Sequence, residues 1–149
     1  MVYRTPPSTP YKITAAFACI PGSDNALDFG FRDNGASGSG KYITLHLSTN
    51  GNLYVFKSIT TFPSPGEYTH ISFPFPTAPA LVWFRIGDDG TNLTFEYGLQ
   101  PFAGSAIVWT TLYTVSRTNY ISGGPSFVTF GGYTNGGAGI YYLGSWEVT

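Results

Sequence analysis

Only one cysteine, Cys19, is present, so no disulfide can close within the chain and the paired-cysteine spacing of a structural zinc site is missing. Cys19 lies in the run A-A-F-A-C-I and reads as a small buried hydrophobe. Charge is equally sparse: Asp, Glu, Lys and Arg make up 10% of 149 residues, the net charge is −1, and no basic cluster occurs. That argues against a nucleic-acid partner, because phosphate binding needs a positive patch. No apolar run approaches the roughly 18 residues of a membrane span, so no membrane partner is expected. The first ten residues, M-V-Y-R-T-P-P-S-T-P, lack the apolar core of a secretory leader. A protein acting outside cells without one fits a phage part released by lysis, or a domain of a longer chain. No window of about eleven residues keeps a helical period.

Turn residues and aromatic rings are abundant. Nineteen glycines and eleven prolines accompany 12 Phe, 11 Tyr and 3 Trp. So much ring surface needs burying, so Gly and Pro are read as turns between many short strands rather than as disorder. The length implies one domain able to bury roughly 70% of its unfolded surface. Residues 1–10, with Pro6, Pro7 and Pro10, read as an extended lead-in or linker. Residues 11–149 read as a single β-sandwich domain.

Two hairpins organise the pattern. From Ala80 to Tyr97, Val82, Phe84 and Ile86 share one face, and Leu93, Phe95 and Tyr97 the matching face, around a D-D-G-T-N tip. From Tyr42 to Ile59, Ile43, Leu45 and Leu47 point inward, Thr44, His46 and Ser48 outward, and Asn50-Gly51-Asn52 turns the chain. Strands are expected also at Tyr11–Ile20, at Ala26–Asp33 (Leu27, Phe29 and Phe31 on one face, Asp28 and Arg32 on the other), at Tyr68–Phe75, Ala106–Val115, Ser126–Tyr133 and Ile140–Val148. Pro74 marks an edge strand or a strand end. Roughly ten strands without helices predict an all-β fold, a two-sheet antiparallel β-sandwich.

Four stretches carry a family resemblance: L-D-F-G-F-R-D (27–33), K-Y-I-T-L-H-L-S-T-N-G-N-L-Y-V-F (41–56), V-W-F-R-I-G-D-D-G-T-N-L-T-F-E-Y (82–97), and F-V-T-F-G-G-Y-T-N with Y-L-G-S-W-E-V at the end of the chain. Together they resemble the concanavalin A-like lectin/glucanase jelly roll, in the version found as binding or tip modules of phage tail fibres and other virion proteins. Related modules often continue the third stretch with S-x-D-G-x-x-W. Here Trp109 is kept and the acidic turn is missing. The resemblance implies a virion or extracellular location and a non-catalytic module that binds cell-surface glycans. The alternative is a capsid-decorating or fibre-assembly domain whose partners are other virion proteins, with a homotrimer as the family-level expectation.

Enzymatic members of that fold class cleave glycans with carboxylates two or four residues apart on one strand, which alternation places on one face. Glu67, Glu96 and Glu147 each lack such a neighbour, and Asp24, four residues before Asp28, sits in a turn. His46 and His70 lie in no nucleophile motif. The glycine-rich Gly35–Lys41 stretch lacks a phosphate-loop ending, because Tyr42 follows Lys41. No catalytic residue is expected, and a small glycoside hydrolase is the least favoured reading.

Candidate ligand-binding residues are rings with polar neighbours, because a flat ring stacks on a sugar face while amides and carboxylates take its hydroxyls. They are Trp83 and Arg85 on the outward face of the first hairpin, Trp109, the Tyr133–Asn135 loop, and Arg32, Asp33 and Asn34. No cofactor is expected. Asp88, Asp89 and Asn92 are weak Ca²⁺ candidates, competing with the needs of a tight turn.

Overall fold

The computed structural model describes residues 2–20, 25–35, 40–48, 52–59, 68–74, 81–100, 103–134 and 140–149. Within these, the side chains at 19, 20, 25, 59, 68–74, 132–134 and 140–142 lie outside the description. The described chain holds eleven strands: β1 (Val2–Arg4), β2 (Tyr11–Ile20), β3 (Asn25–Arg32), β4 (Lys41–Leu47), β5 (Asn52–Ile59), β6 (Tyr68–Pro74), β7 (Leu81–Asp88), β8 (Asn92–Leu99), β9 (Val108–Ser116), β10 (Phe127–Thr134) and β11 (Ile140–Val148).

The strands form two sheets, one in the order β1-β10-β3-β4-β5-β6 and one in the order β11-β2-β7-β8-β9. Every pairing is antiparallel. Pro74, which cannot donate to a ladder, ends β6, and β6 is an outer strand, as the sequence implies. The lead-in contributes β1, which adds three residues to the far edge of the same sheet.

The period of two decides which face each sheet buries. Val82, Phe84, Ile86, Leu93, Phe95 and Tyr97, the inner face read from the first hairpin, are all buried. Ile13, Ala15 and Phe17 of β2 join them, opposite Leu27, Phe29, Phe31, Ile43, Leu45, Leu53 and Val55 of the other sheet. Rings bridge the two layers: Phe17 lies 5.5 Å from Phe29, and Phe31 meets Phe95 edge-on at 5.7 Å.

The other face of the six-stranded sheet differs from a solvated outer face. Asp28, Thr44 and Thr129 are at most 1% exposed although they alternate away from the core. Asp28 Oδ1 accepts from the Thr44 hydroxyl at 2.9 Å and lies 3.1 Å from His46 Nδ1. The His46 ring stacks on Phe56 at 5.2 Å. Gly30 sits between these strands, where a Cβ would run into the backbone of Ile43 and Thr44, so only glycine lets β3 and β4 lie this close.

Candidate functional site

The outward face of the five-stranded sheet brings together Trp83, Arg85 and Trp109, three residues that lie on two strands separated by a third. Pairing places Trp83 opposite Gly98, and Gly98 opposite Trp109. The two tryptophans therefore stand two strand spacings apart, about 10 Å, with a glycine between them. Gly98 is required there. A Cβ would meet Trp109 Cζ3 at 3.0 Å and collide with Ile107 Cγ2, so the indole occupies the space a side chain would need. Ala16 and Ser145 continue the same row on the other side of Trp83. Small neighbours on both flanks make the row a flat strip bearing two indoles.

The next row along the strands reads Glu147, Thr14, Arg85, Glu96, Thr111. Arg85 donates from Nε to Glu96 Oε2 at 2.7 Å and from Nη2 to Glu96 Oε1 at 3.1 Å, a two-pronged charge-assisted pair. Its guanidinium carbon lies 4.1 Å from the Trp109 ring centroid, within cation–π range. Lys12 Nζ adds a contact to Glu96 Oε2 at 3.4 Å, and Thr111 donates to Oε1 at 3.4 Å. Glu96 thus orients Arg85, and Arg85 orients Trp109. Burial alone would push the Glu96 carboxyl up, but the hydrogen bonds and charge of Arg85, then those of Lys12, outweigh it and hold Glu96 below the usual glutamate range. Trp83 Nε1 is buried with no hydrogen-bond partner among the described residues.

Glu96 and Glu147 share this face but stand three strand spacings apart, about 14 Å, beyond the roughly 5–9.5 Å of a glycosidase pair. A carboxyl held charged by Arg85 is also a poor proton donor. Glu67 and Asp24 lie outside the described residues.

The remaining sequence candidates fall elsewhere. Arg32 ends β3 of the six-stranded sheet, Asp33 and Asn34 follow it, and Arg32 and Asp33 close a loop. Asp33 Oδ1 accepts from the backbone N–H of Gly35 at 2.9 Å and of Lys41 at 3.0 Å. Arg32 is buried, with its guanidinium carbon 4.6 Å from the Tyr3 ring and 5.2 Å from the Tyr42 ring, and Nη2 donates to the Gly35 carbonyl. Burial first, and then the hydrogen bond shared with Tyr3, push the Tyr42 hydroxyl up to about 12. Tyr133 lies on β10 with its side chain outside the description, and Asn135 lies outside the described residues.

The D-D-G-T-N tip is turn chemistry. Asp88 Oδ1 accepts from the Gly90 N–H at 3.0 Å, and Asp89 Oδ1 from the N–H groups of Thr91 and Asn92 at 2.7 and 2.6 Å. Arg117 Nε reaches Asp88 Oδ2 at 2.9 Å. Among the described residues no group of three or more His, Cys, Asp or Glu is placed to hold a metal ion.

Sequence reasoning missed Lys12, Glu96 and Gly98 at this face and the Asp28–Thr44–His46 cluster on the other sheet. A signal for Glu96 was present, since Arg85 and Glu96 each lie four residues from the Asp89–Asn92 turn and so face each other in a hairpin. The same register sets Gly98 opposite Trp83, but its place beside Trp109 and the arrival of Lys12 had no signal, because they depend on β9 and β2, the neighbours of β8 and β7 in the sheet.

No protein-family model and no curated protein matches this chain. Among solved structures the chain is similar to the CBM2 module of the evolved Dit of Lactobacillus casei BL23 phage J-1, at 11% sequence identity and a TM-score of 0.45. That similarity covers 98% of this chain and 64% of the other, so the chain spans less than two thirds of that structure.

Proposed function

We propose that this chain is a non-catalytic module of a phage or phage-like particle that binds glycan on the outward face of its five-stranded sheet. The observation that carries this reading is the strip formed by Trp83 and Trp109 on either side of Gly98, with the Arg85–Glu96 pair alongside. Two partly exposed tryptophans on strands two spacings apart offer ring faces on which a short saccharide can stack, and polar side chains beside them suit its hydroxyls. The resemblance of four stretches to concanavalin A-like virion modules supports the particle setting. Arg85 and Trp109 form one unit, because each fixes the orientation of the other.

A glycan array followed by titration calorimetry on the wild type, Trp83→Ala and Trp109→Ala tests this. Each substitution is expected to weaken binding about tenfold or more, roughly 1.4 kcal/mol. Full binding by both variants overturns the reading. Release of new reducing ends from the bound glycan would make the module an enzyme instead.

A second reading, assembly with other virion proteins or as a homotrimer, draws on a different observation. Leu81, Leu99, Val108 and Leu143 are exposed by 39–59%, and all lie toward one end of the five-stranded sheet. Leu81 Cδ1 approaches the Gly144 position, and Leu99 pairs with Val108. Exposed apolar groups at one end of a sheet, Leu81 on its outward face and Leu99 and Val108 on its inner one, offer a contact edge to another protein. Light scattering on the wild type and on Leu81→Asp/Val108→Asp tests it: a trimer that the double variant breaks supports assembly, and a monomer at high concentration removes it.

A further inference from the structure

We infer that the ligand of this face is an extended, electrically neutral polysaccharide, and that a groove floored by Gly87 seats a unit beyond the one held at the two tryptophans. The inference rests on the glycan reading above. The groove has a volume of about 520 Å³ and surrounds Gly87 with Pro10, Lys12, Asp89, Thr94 and Thr149. That size falls within the roughly 300–1,000 Å³ of small-molecule sites. Gly87 lies on β7 four residues after Trp83, on the same face and about 13 Å along the strand. A chain whose end unit stacks at Trp83 and that runs along β7, at right angles to the row joining the two tryptophans, would cross the Arg85–Glu96 pair and enter the groove.

The groove and the strip share a residue. Lys12 lines the groove and also reaches Glu96 Oε2 at 3.4 Å, while its side chain remains 48% exposed. Thr94 pairs with Gly87 across the hairpin, and its hydroxyl oxygen lies 2.6 Å from where a Gly87 Cβ would stand. Asp89 at the rim is exposed and accepts the backbone N–H bonds of Thr91 and Asn92 on Oδ1. An ammonium, a hydroxyl and a carboxylate thus ring a floor that carries no side chain. Such a ring suits a sugar's mixed donors and acceptors and offers little to an apolar peptide.

The charges argue for a neutral chain. Lys12, Arg85 and Arg117 are balanced by Glu96, Asp88 and Asp89, which they pair or face, and Glu147 lies at the β11 end of the Arg85 row. With no cationic surplus, a polymer of phosphates or uronates gains no long-range attraction.

The test is calorimetry on the full chain with glucan and galactan oligosaccharides of increasing length, with polyglycerol phosphate as the anionic comparison. Affinity is expected to climb about tenfold between two and four units and to stay level as salt is raised. Thr94→Phe lays a ring over the glycine opposite it, an arrangement sheets tolerate, and should abolish the climb while the melting temperature holds. Lys12→Met removes the ammonium but keeps the aliphatic stem, and should reduce the climb. Affinity that stays flat beyond two units, or a climb unchanged in both variants, overturns the groove and leaves the tryptophan strip standing. Tight polyglycerol phosphate binding that collapses in salt overturns the neutral chain. No binding in any arm, or full binding by the Trp83→Ala/Trp109→Ala double variant, overturns the glycan reading and this inference with it.

Discussion

Gly98 has no side chain, and the Trp109 indole occupies the space one would need. Gly98→Ala puts a methyl group 3.0 Å from Trp109 Cζ3 and into Ile107 Cγ2, so one of them must move. The expected outcome is a shifted tryptophan emission spectrum, weaker glycan binding and a stability loss of about 1–3 kcal/mol, the usual result of overpacking. An unchanged spectrum would count against the indole lying over Gly98. Glu96 gives a second residue-scale prediction. Its carboxyl titrates below the usual range in the fold, so its contribution is present above the unfolded value of about 4.3 and is lost as pH falls through the lower folded value. Glu96→Gln should therefore cost about 1–2 kcal/mol at pH 7, a range that allows for the partial exposure of Arg85 and Lys12. The gap between variant and wild type should close as thermal melts are taken to more acid pH. A gap that is constant from pH 7 to strong acid would mean that the charge of Glu96 contributes nothing.

At the scale of elements, the β7–β8 hairpin places Arg85 opposite Glu96 and aligns Trp83 with Gly98. Its register depends on the tip, where Gly90 has φ +88° and the two aspartates cap neighbouring N–H groups. Gly90→Ala meets nothing closer than Thr9 Oγ1 at 3.6 Å, so its cost is conformational, about 1–2 kcal/mol for a side chain in the left-handed region. Chemical denaturation should show that loss with an unchanged denaturant slope. A changed slope would point to a shifted register instead, which would carry the whole outward face inward. The β3–β4 pair shows the opposite situation, since the tight backbone approach at Gly30 leaves no room for a Cβ.

For the whole molecule, the two sheets are joined by rings that cross the core. Phe17 of β2 touches Phe29 of the other sheet at 5.5 Å, Phe84 at 6.0 Å and Phe130 at 6.3 Å, and it is 1% exposed. Phe17→Ala is expected to cost about 3–5 kcal/mol, and both sheets should melt together in one transition. Two separated transitions in calorimetry would mean that the sheets are held independently. The two outward faces contrast at this scale as well. One carries the indole strip and a groove, while the other buries Asp28 with its second carboxylate oxygen unpartnered among the described residues.

The sequence by itself determined the all-β class, most strand positions and the inner face of the first hairpin, because alternation with a period of two is local and turn residues announce themselves. It also brought Trp83, Arg85 and Trp109 forward as candidates, the first two on one outward face by alternation and Trp109 by residue type alone. Only the tertiary structure decided that Trp109 joins Trp83 and Arg85 on one face, that Gly98 makes room beside the Trp109 indole, and that Lys12 arrives from β2. Those facts depend on which strands become neighbours, and partners far apart in the chain leave no mark in local periodicity. The same reason explains Asp28 and Arg32. Both alternate away from the core, as their positions imply, yet both are buried, because burial depends on what packs against a sheet face and not on the face a strand presents.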